Sequence, residues 1–267
     1  MKISKFLYRL LILILIAAML ISGSILMRFI VDSLQQKQAH DTLAARVEYS
    51  RMEALQQTAP VFSDNLPQNL PAVPTESSIL PEYAALYEEN PDLVGWMTID
   101  GTPVNYPVMQ SPDRPDYYLH RNFQREHNSH GCLYVRESCD VFAPADNLTI
   151  YGHHMRDGSM FASLESYRKE DFCKEYPTIR FDTLYEHHTY TIFAVFTTLA
   201  SVGDGFSYHL FEDAADETEF NDFVSACKNL SLYNTGITPR YGDKLICLST
   251  CEYTRTNGRL VVAAVQD

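Results

Sequence analysis

Leu245-Ile246-Cys247-Leu248-Ser249-Thr250-Cys251 is a short apolar run that ends on a thiol, and Arg259 heads a second such run, Leu260 to Val265. Read as the two strands of a hairpin, they bring a Cys at the end of one strand opposite an Arg near the start of the next. Arg255 is nearer in sequence but falls in the expected loop. Upstream, Leu148 to Tyr151 is another strand-like run, followed by Gly152-His153-His154-Met155. A thiol, an imidazole and a guanidinium suffice for acyl transfer: the Cys attacks, the His exchanges protons and the Arg steadies the developing oxyanion. In extended backbone, neighbouring side chains point to opposite faces, so only one of His153 and His154 meets Cys251.

Working outward, the remaining elements are mostly short strands. Val94 to Ile99 alternates like a strand, Asp100-Gly101 is a turn signal, and Val104 to Met109 reads as the return. Cys132 to Val135, Thr178 to Phe181 and the longer Tyr190 to Leu199 add further strands. Two helices are expected, Leu80 to Glu89 with Pro81 near its start, and Glu217 to Leu230 with Phe220, Phe223, Val224 and Cys227 at helical spacing. Many strands and few helices argue for a mainly β fold, a barrel with peripheral helices.

The chain opens with Lys2, Lys5 and Arg9 ahead of an apolar stretch from Leu10 to Met27. A spanning helix needs about 20 apolar residues, and Phe6 to Tyr8 can extend the stretch while Arg9 snorkels. A cleaved signal peptide would have a shorter core, and Ser22-Gly23-Ser24 is a weak cleavage site, so a membrane anchor is the reading taken. The leading positive charges set the N-terminus inside. The expected division is 1–28 cytoplasmic start and single transmembrane anchor, 29–78 helical stalk and Pro-containing tether, and 79–267 an extracytoplasmic catalytic domain. That last part is roughly 190 residues, enough for one well-buried domain.

Net charge is −13, and the basic start adds nothing to the outer domain; with no basic stripe visible, this argues against nucleic acid and anionic lipid as partners. The cysteines stand at 132, 139, 173, 227, 247 and 251. Cys247 and Cys251 share a strand face about 13 Å apart, too far to bridge. Apart from Cys251, the cysteines read as buried small hydrophobes, with a Cys132–Cys139 disulfide left open. A metal site would have to use His153-His154 with Cys251, or His187-His188. Without an i, i+4 His pair or a Cys-x-x-Cys, no metal is assigned and the chemistry calls for no cofactor.

Leu248-Ser249-Thr250-Cys251 followed by Gly258-Arg259-Leu260-Val261-Val262 resembles the signature of the sortases. Thr149-Ile150-Tyr151-Gly152-His153-His154-Met155 with Asp157-Gly158-Ser159-Met160-Phe161 resembles the histidine segment of class B sortases. So do Val94-Gly95-Trp96, Tyr106-Pro107-Val108 and Tyr117-Tyr118-Leu119. The resemblance runs from about residue 80 to the C-terminus, with the motifs in the family's order. It implies an eight-stranded β-barrel with an added N-terminal helix and a helix before the seventh strand. It implies a membrane-anchored cysteine transpeptidase in which Cys251 attacks the Thr carbonyl of a C-terminal sorting signal of the Asn/Ser-Pro-x-Thr-x type. An amine of peptidoglycan or its precursor then resolves the thioacyl enzyme, and the partners are secreted proteins carrying that signal. The resemblance selects His153 as the general acid/base and Arg259 as the oxyanion residue. His154 departs from the Asn frequent at its position. Tyr151, Ser249, Glu252 and Leu119 match positions that line the class B substrate groove. A secreted cysteine hydrolase with water as acceptor is the enzymatic competitor, and a papain-like form of it fails on order, since there the Cys precedes the His. Two further alternatives stand beside this reading. One is a pilin-polymerising sortase with a lysine acceptor, whose Asp-Pro-aromatic lid motif is missing from the sequence; the other is a non-enzymatic surface β-barrel module with an inert Cys251.

Overall fold

The computed structural model describes residues 5–58, 78–143, 145–199 and 205–267. Its strands are β1 (Leu93–Thr98), β2 (Asn105–Met109), β3 (Leu133–Val135), β4 (Asn147–Tyr151), β5 (Thr178–Thr183), β6 (Thr189–Leu199), β7 (Leu245–Glu252) and β8 (Gly258–Gln266). Its helices are α1 (Lys5–Thr58), α2 (Pro81–Glu89), α3 (Glu170–Glu175) and α4 (Glu217–Leu230). The strands close into a barrel in the order β1-β2-β3-β4-β7-β8-β6-β5, with β5 returning to β1. Two contacts, β2 with β3 and β4 with β7, are parallel, and the others are antiparallel. This is the eight-stranded barrel expected from the sequence, and closure removes the exposed strand edges that would otherwise template aggregation.

The apolar run that opened the sequence reading is apolar because both of its faces are covered. Ile246 and Leu248 point into the barrel with Ile150, Phe181, Ile192 and Val262. Leu245 and Cys247 point outward beneath α4, against Phe220, Phe223, Val224 and Cys227. Burying each of those aromatic and aliphatic side chains contributes about 1.5–3 kcal/mol. The start of α4 is fixed by Asp216, whose side chain accepts the Glu219 amide at 3.0 Å, while Glu219 reaches back to the Ala215 amide at 2.8 Å.

The domain boundary differs from the sequence reading. One compact unit comprises Leu43–Asp267 and a separate one ends at Thr42, so the C-terminal part of α1 belongs with the barrel rather than with a stalk. Leu43 and Val47 lie one helical turn apart and are buried with Tyr83, Leu86, Leu93 and Trp96. Arg46 pairs with Glu89, and Arg51 pairs with Glu82 at 3.2 Å and Asp182 at 3.5 Å, both acids being buried. Two apolar residues in one turn are too sparse to register as an amphipathic stripe, which is why the sequence hid this contact. The expected tether lies largely at 59–77, outside the described residues. α1 also carries a stretch apolar and long enough to cross a membrane.

All six cysteines are free. Cys132 and Cys139, the pair left open above, are both buried in separate apolar clusters.

Candidate active site

Two ladders build the site. The parallel pairing of β4 with β7 sets Tyr151 opposite Ser249. Both chains leave that pair in the same direction, so Gly152-His153 runs beside Thr250-Cys251. The step is held by the Gly152 amide donating to the Ser249 carbonyl at 3.1 Å and the Thr250 hydroxyl donating to the Gly152 carbonyl at 2.8 Å. A side chain at 152 would strike Phe161 and Leu133, and glycine there lets the histidine segment pass close to the barrel wall. The second ladder, antiparallel β7–β8, makes Cys251 and Arg259 direct partners. Directly opposed side chains in such a pair stand about 4.5–5.5 Å apart at Cβ.

Cys251, His153 and Arg259 line one open cavity of about 350 Å³, with Leu119, Tyr151 and Ser249 in its wall. Six of the seven residues singled out from sequence are therefore brought together. Glu252 is the exception: it is buried on the opposite face of β7, where Arg168 pairs with it at 3.1 Å. Strand alternation dictates this, since a residue one step from Cys251 points the other way. Arg255 lies in the exposed turn between β7 and β8.

The ring of His153 is fixed from the far side. Its Nε2–H donates to the Leu119 carbonyl at 2.7 Å, and it stacks on His120 with centroids 5.4 Å apart. Burial pulls its pKa below the ordinary 6.5; the Leu119 carbonyl works against this, while His120 and His130 add to it. His154 goes elsewhere. Its Nδ1–H donates to the Cys251 carbonyl at 2.9 Å, its ring packs on Tyr253, and its own carbonyl accepts the Tyr253 hydroxyl at 3.1 Å.

The cavity also contains Asp116, His120, Tyr208 and His209, which the sequence reading did not single out. Tyr208 is buried and its hydroxyl shares a 2.5 Å hydrogen bond with Ser249 Oγ. Burial pushes its pKa up to about 12, so it stays a neutral phenol at neutral pH. Burial lowers the pKa of His209, with Arg136 and Arg259 adding to the effect. Tyr208 and His209 belong to the single turn Tyr208–Leu210, too short to show a periodic signal. His120 follows Leu119 directly and was within reach of the sequence argument.

A closed eight-stranded barrel with Cys, His and Arg converging on one cavity is the arrangement of a cysteine transpeptidase. The sortase domain family matches residues 97–267. Sortase B of Listeria monocytogenes is 34% identical over 183 residues, covering 68% of this chain and 72% of that protein. Sortase B of Staphylococcus aureus is 30% identical over 191 residues, 71% of this chain and 76% of that one. Among solved structures, a Staphylococcus aureus sortase B–substrate complex superposes with a TM-score of 0.73 at 26% identity, covering 89% of this chain and 98% of that one. A Bacillus anthracis protein similar to sortase B gives 0.71 at 30% identity, covering 88% and 97%. The chain belongs to the sortase family, as a class B cysteine transpeptidase.

Proposed function

We propose that this enzyme is held in the cell membrane by α1, with its N-terminus inside and its barrel outside, and that it joins secreted proteins to the cell wall. The substrate is a C-terminal sorting signal cleaved after Thr. The Cys251 thiolate attacks the Thr carbonyl carbon, and the negative charge that moves onto the carbonyl oxygen is met by Arg259. The C–N bond breaks as His153 gives its proton to the leaving amide nitrogen, leaving a thioester on Cys251. An amine of peptidoglycan or its precursor then attacks the thioester. His153 takes the amine's proton, the new amide forms and the thiolate departs.

The observation that carries this reading is the Cys251–Arg259 cross-strand pair facing the same cavity as His153. Known relatives support the two substrate classes, since sortase B structures include one with substrate and one complexed with triglycine. The candidate span in α1 supports the anchor. Tyr151, Ser249 and Leu119 remain the proposed substrate contacts, with Tyr208 added through its bond to Ser249, while the buried pairing of Glu252 with Arg168 supports a structural role for that residue instead.

The test is mass spectrometry of the full-length chain in detergent, incubated with Asn/Ser-Pro-x-Thr-x peptides and candidate amines. A thioacyl adduct on Cys251 and an amine-dependent product whose Thr carbonyl is joined to that amine through a new amide are expected. Cleavage at another bond, or an adduct on another residue, would overturn the reading.

A further inference from the structure

His130 is 2% exposed, yet it is a titratable side chain aimed at the loop that carries His153. Its Nε2 lies 3.0 Å from Asp157 Oδ2, and its Nδ1 lies 3.3 Å from Ser129 Oγ. Asp157 sits at the tip of the segment from His153 to Phe161. That segment closes on itself, with the Phe161 amide donating to the His153 carbonyl at 2.9 Å, the Gly158 amide donating to Met155 at 3.1 Å, and a bridge between His154 and Met160. Asp157 Oδ1 accepts from the Ser159 amide and hydroxyl, so its other oxygen is directed at His130.

The residues after His130 brace the other end of the same constraint. Gly131 has φ +61, and a Cβ there would lie 2.4 Å from the Leu119 carbonyl oxygen, the acceptor for His153. Cys132 donates its amide to the Tyr118 carbonyl at 3.0 Å. The stretch 130–132 therefore presses on the Tyr118–Leu119 backbone with its main chain while its first side chain grips the tip of the His153 loop.

We propose that His130 is a positioning residue for His153: its hydrogen bond to Asp157 locks the His153 loop to the strand lead-in that holds the Leu119 carbonyl. This rests on the reading of His153 as the general acid/base. A shift of about 1 Å in such a group costs up to about 100-fold in rate, which is the scale on which the lock acts. The pair also has an electrostatic consequence. The charged or titratable groups that share the cavity with His153 are Asp116 and His120 at the turn Tyr117–His120, Tyr134 on β3, Tyr151 on β4, Tyr208 and His209 from the turn Tyr208–Leu210, Cys251 on β7 and Arg259 on β8, with His130 ahead of β3. His130 is among the causes that lower the His153 pKa, and Asp157 faces His130.

The experiment compares His130→Phe and His130→Gln in the full-length chain, with His153→Ala alongside, using fluorogenic Asn/Ser-Pro-x-Thr-x peptides. Phe fills the space without a donor, whereas the Gln amide can donate to Asp157. His130→Phe should lower kcat roughly 10- to 100-fold with KM changed less than about twofold, and His130→Gln should recover most of the loss. In both, the acidic limb of kcat/KM should move up, because His130 is among the groups that lower the His153 pKa; a packing role alone would leave it in place. If His130→Phe does not fold, His130→Asn, too short to reach Asp157, gives the same contrast with Gln. Wild-type kcat in the variant lacking the donor, or equal losses in it and His130→Gln, would overturn the proposal. Full activity in His153→Ala would instead overturn the reading of His153 itself.

Discussion

His153 and His154 are consecutive, yet one ring bonds the Leu119 carbonyl at 2.7 Å and the other the Cys251 carbonyl at 2.9 Å. The first keeps its position in the cavity with the thiol; the second is committed to the main chain of the nucleophile strand. The proposed mechanism needs an imidazole that is held within the cavity of the thiol, and His153 lies in that cavity with its Nε2 held by Leu119. His154 instead steadies the end of β7 together with Tyr253.

His153→Ala should therefore reduce kcat/KM by at least about 1000-fold, whereas His154→Ala should cost roughly tenfold or less through a looser β7 end. Steady-state kinetics of both variants checks the ordering. Equal losses would mean that His154 takes part in proton transfer.

Burial favours the neutral form of His153, so its folded pKa lies below 6.5. The acidic limb of kcat/KM should accordingly lie below pH 6.5, and it belongs to the Cys–His pair as a unit. For stability the sign is the same: between the lowered folded pKa and 6.5 the unfolded chain binds more protons. Stability from this group is full above about pH 6.5 and is lost as pH falls through the folded value. A pH series of kinetics and urea melts on wild type and His153→Gln reads both effects. A limb above pH 6.5 would contradict the burial argument.

Cys251→Ala should abolish turnover and thioester formation. Cys247, fully buried beneath α4, should behave as core. Its Ala variant should lose roughly 1–2 kcal/mol of stability with kcat near normal. Burial pushes the Cys247 thiol well above its ordinary pKa, so a mild alkylating agent should label Cys251 and spare Cys247. Peptide mapping after labelling distinguishes them.

Arg259→Lys should lose on the order of 100- to 1000-fold in kcat, since lysine keeps the charge but not the planar fork that sets two donors on an oxyanion. Arg255→Lys, in the exposed turn, should be nearly neutral. A crippled Arg255 variant beside a normal Arg259 variant would reassign the oxyanion role.

The barrel was legible because its strands carry strong local signals. The runs at 245–251 and 260–265 sit within β7 and β8, and the helix expected from Glu217 to Leu230 on the stripe Phe220, Phe223, Val224 and Cys227 matches α4 end to end. Cys251 and Arg259 were legible through the hairpin register, and His153 through a motif. What sequence hid was the part set by tertiary contact. The family resemblance matches Glu252 to the groove, but one strand step turns it toward Arg168. Tyr208 and Asp116 enter the cavity from irregular segments with no period to read. Leu43, Val47 and Arg51 gain meaning only once Tyr83, Trp96, Glu82 and Asp182 are folded against them.

That last contact makes a prediction about where a working fragment must begin. A chain starting at Ile79 retains every strand, but it lacks the turns of α1 that cover Tyr83, Leu86 and Trp96. It also leaves Glu82 and Asp182 without Arg51, with His187 still in contact with both acids. Losing Leu43 and Val47 alone should cost about 3–6 kcal/mol at full burial. A protein of this size shifts its Tm by about 2–4 °C per kcal/mol. The fragment 79–267 should therefore melt roughly 6 °C or more below 43–267. Arg51→Ala in the longer fragment should cost about 1–3 kcal/mol, because the guanidinium is one-third exposed and only part of the buried-pair penalty applies. Calorimetry of the two fragments and the variant checks both values. Equal melting temperatures for the fragments would show that the barrel is stable without its α1 contact and would return the boundary to residue 79.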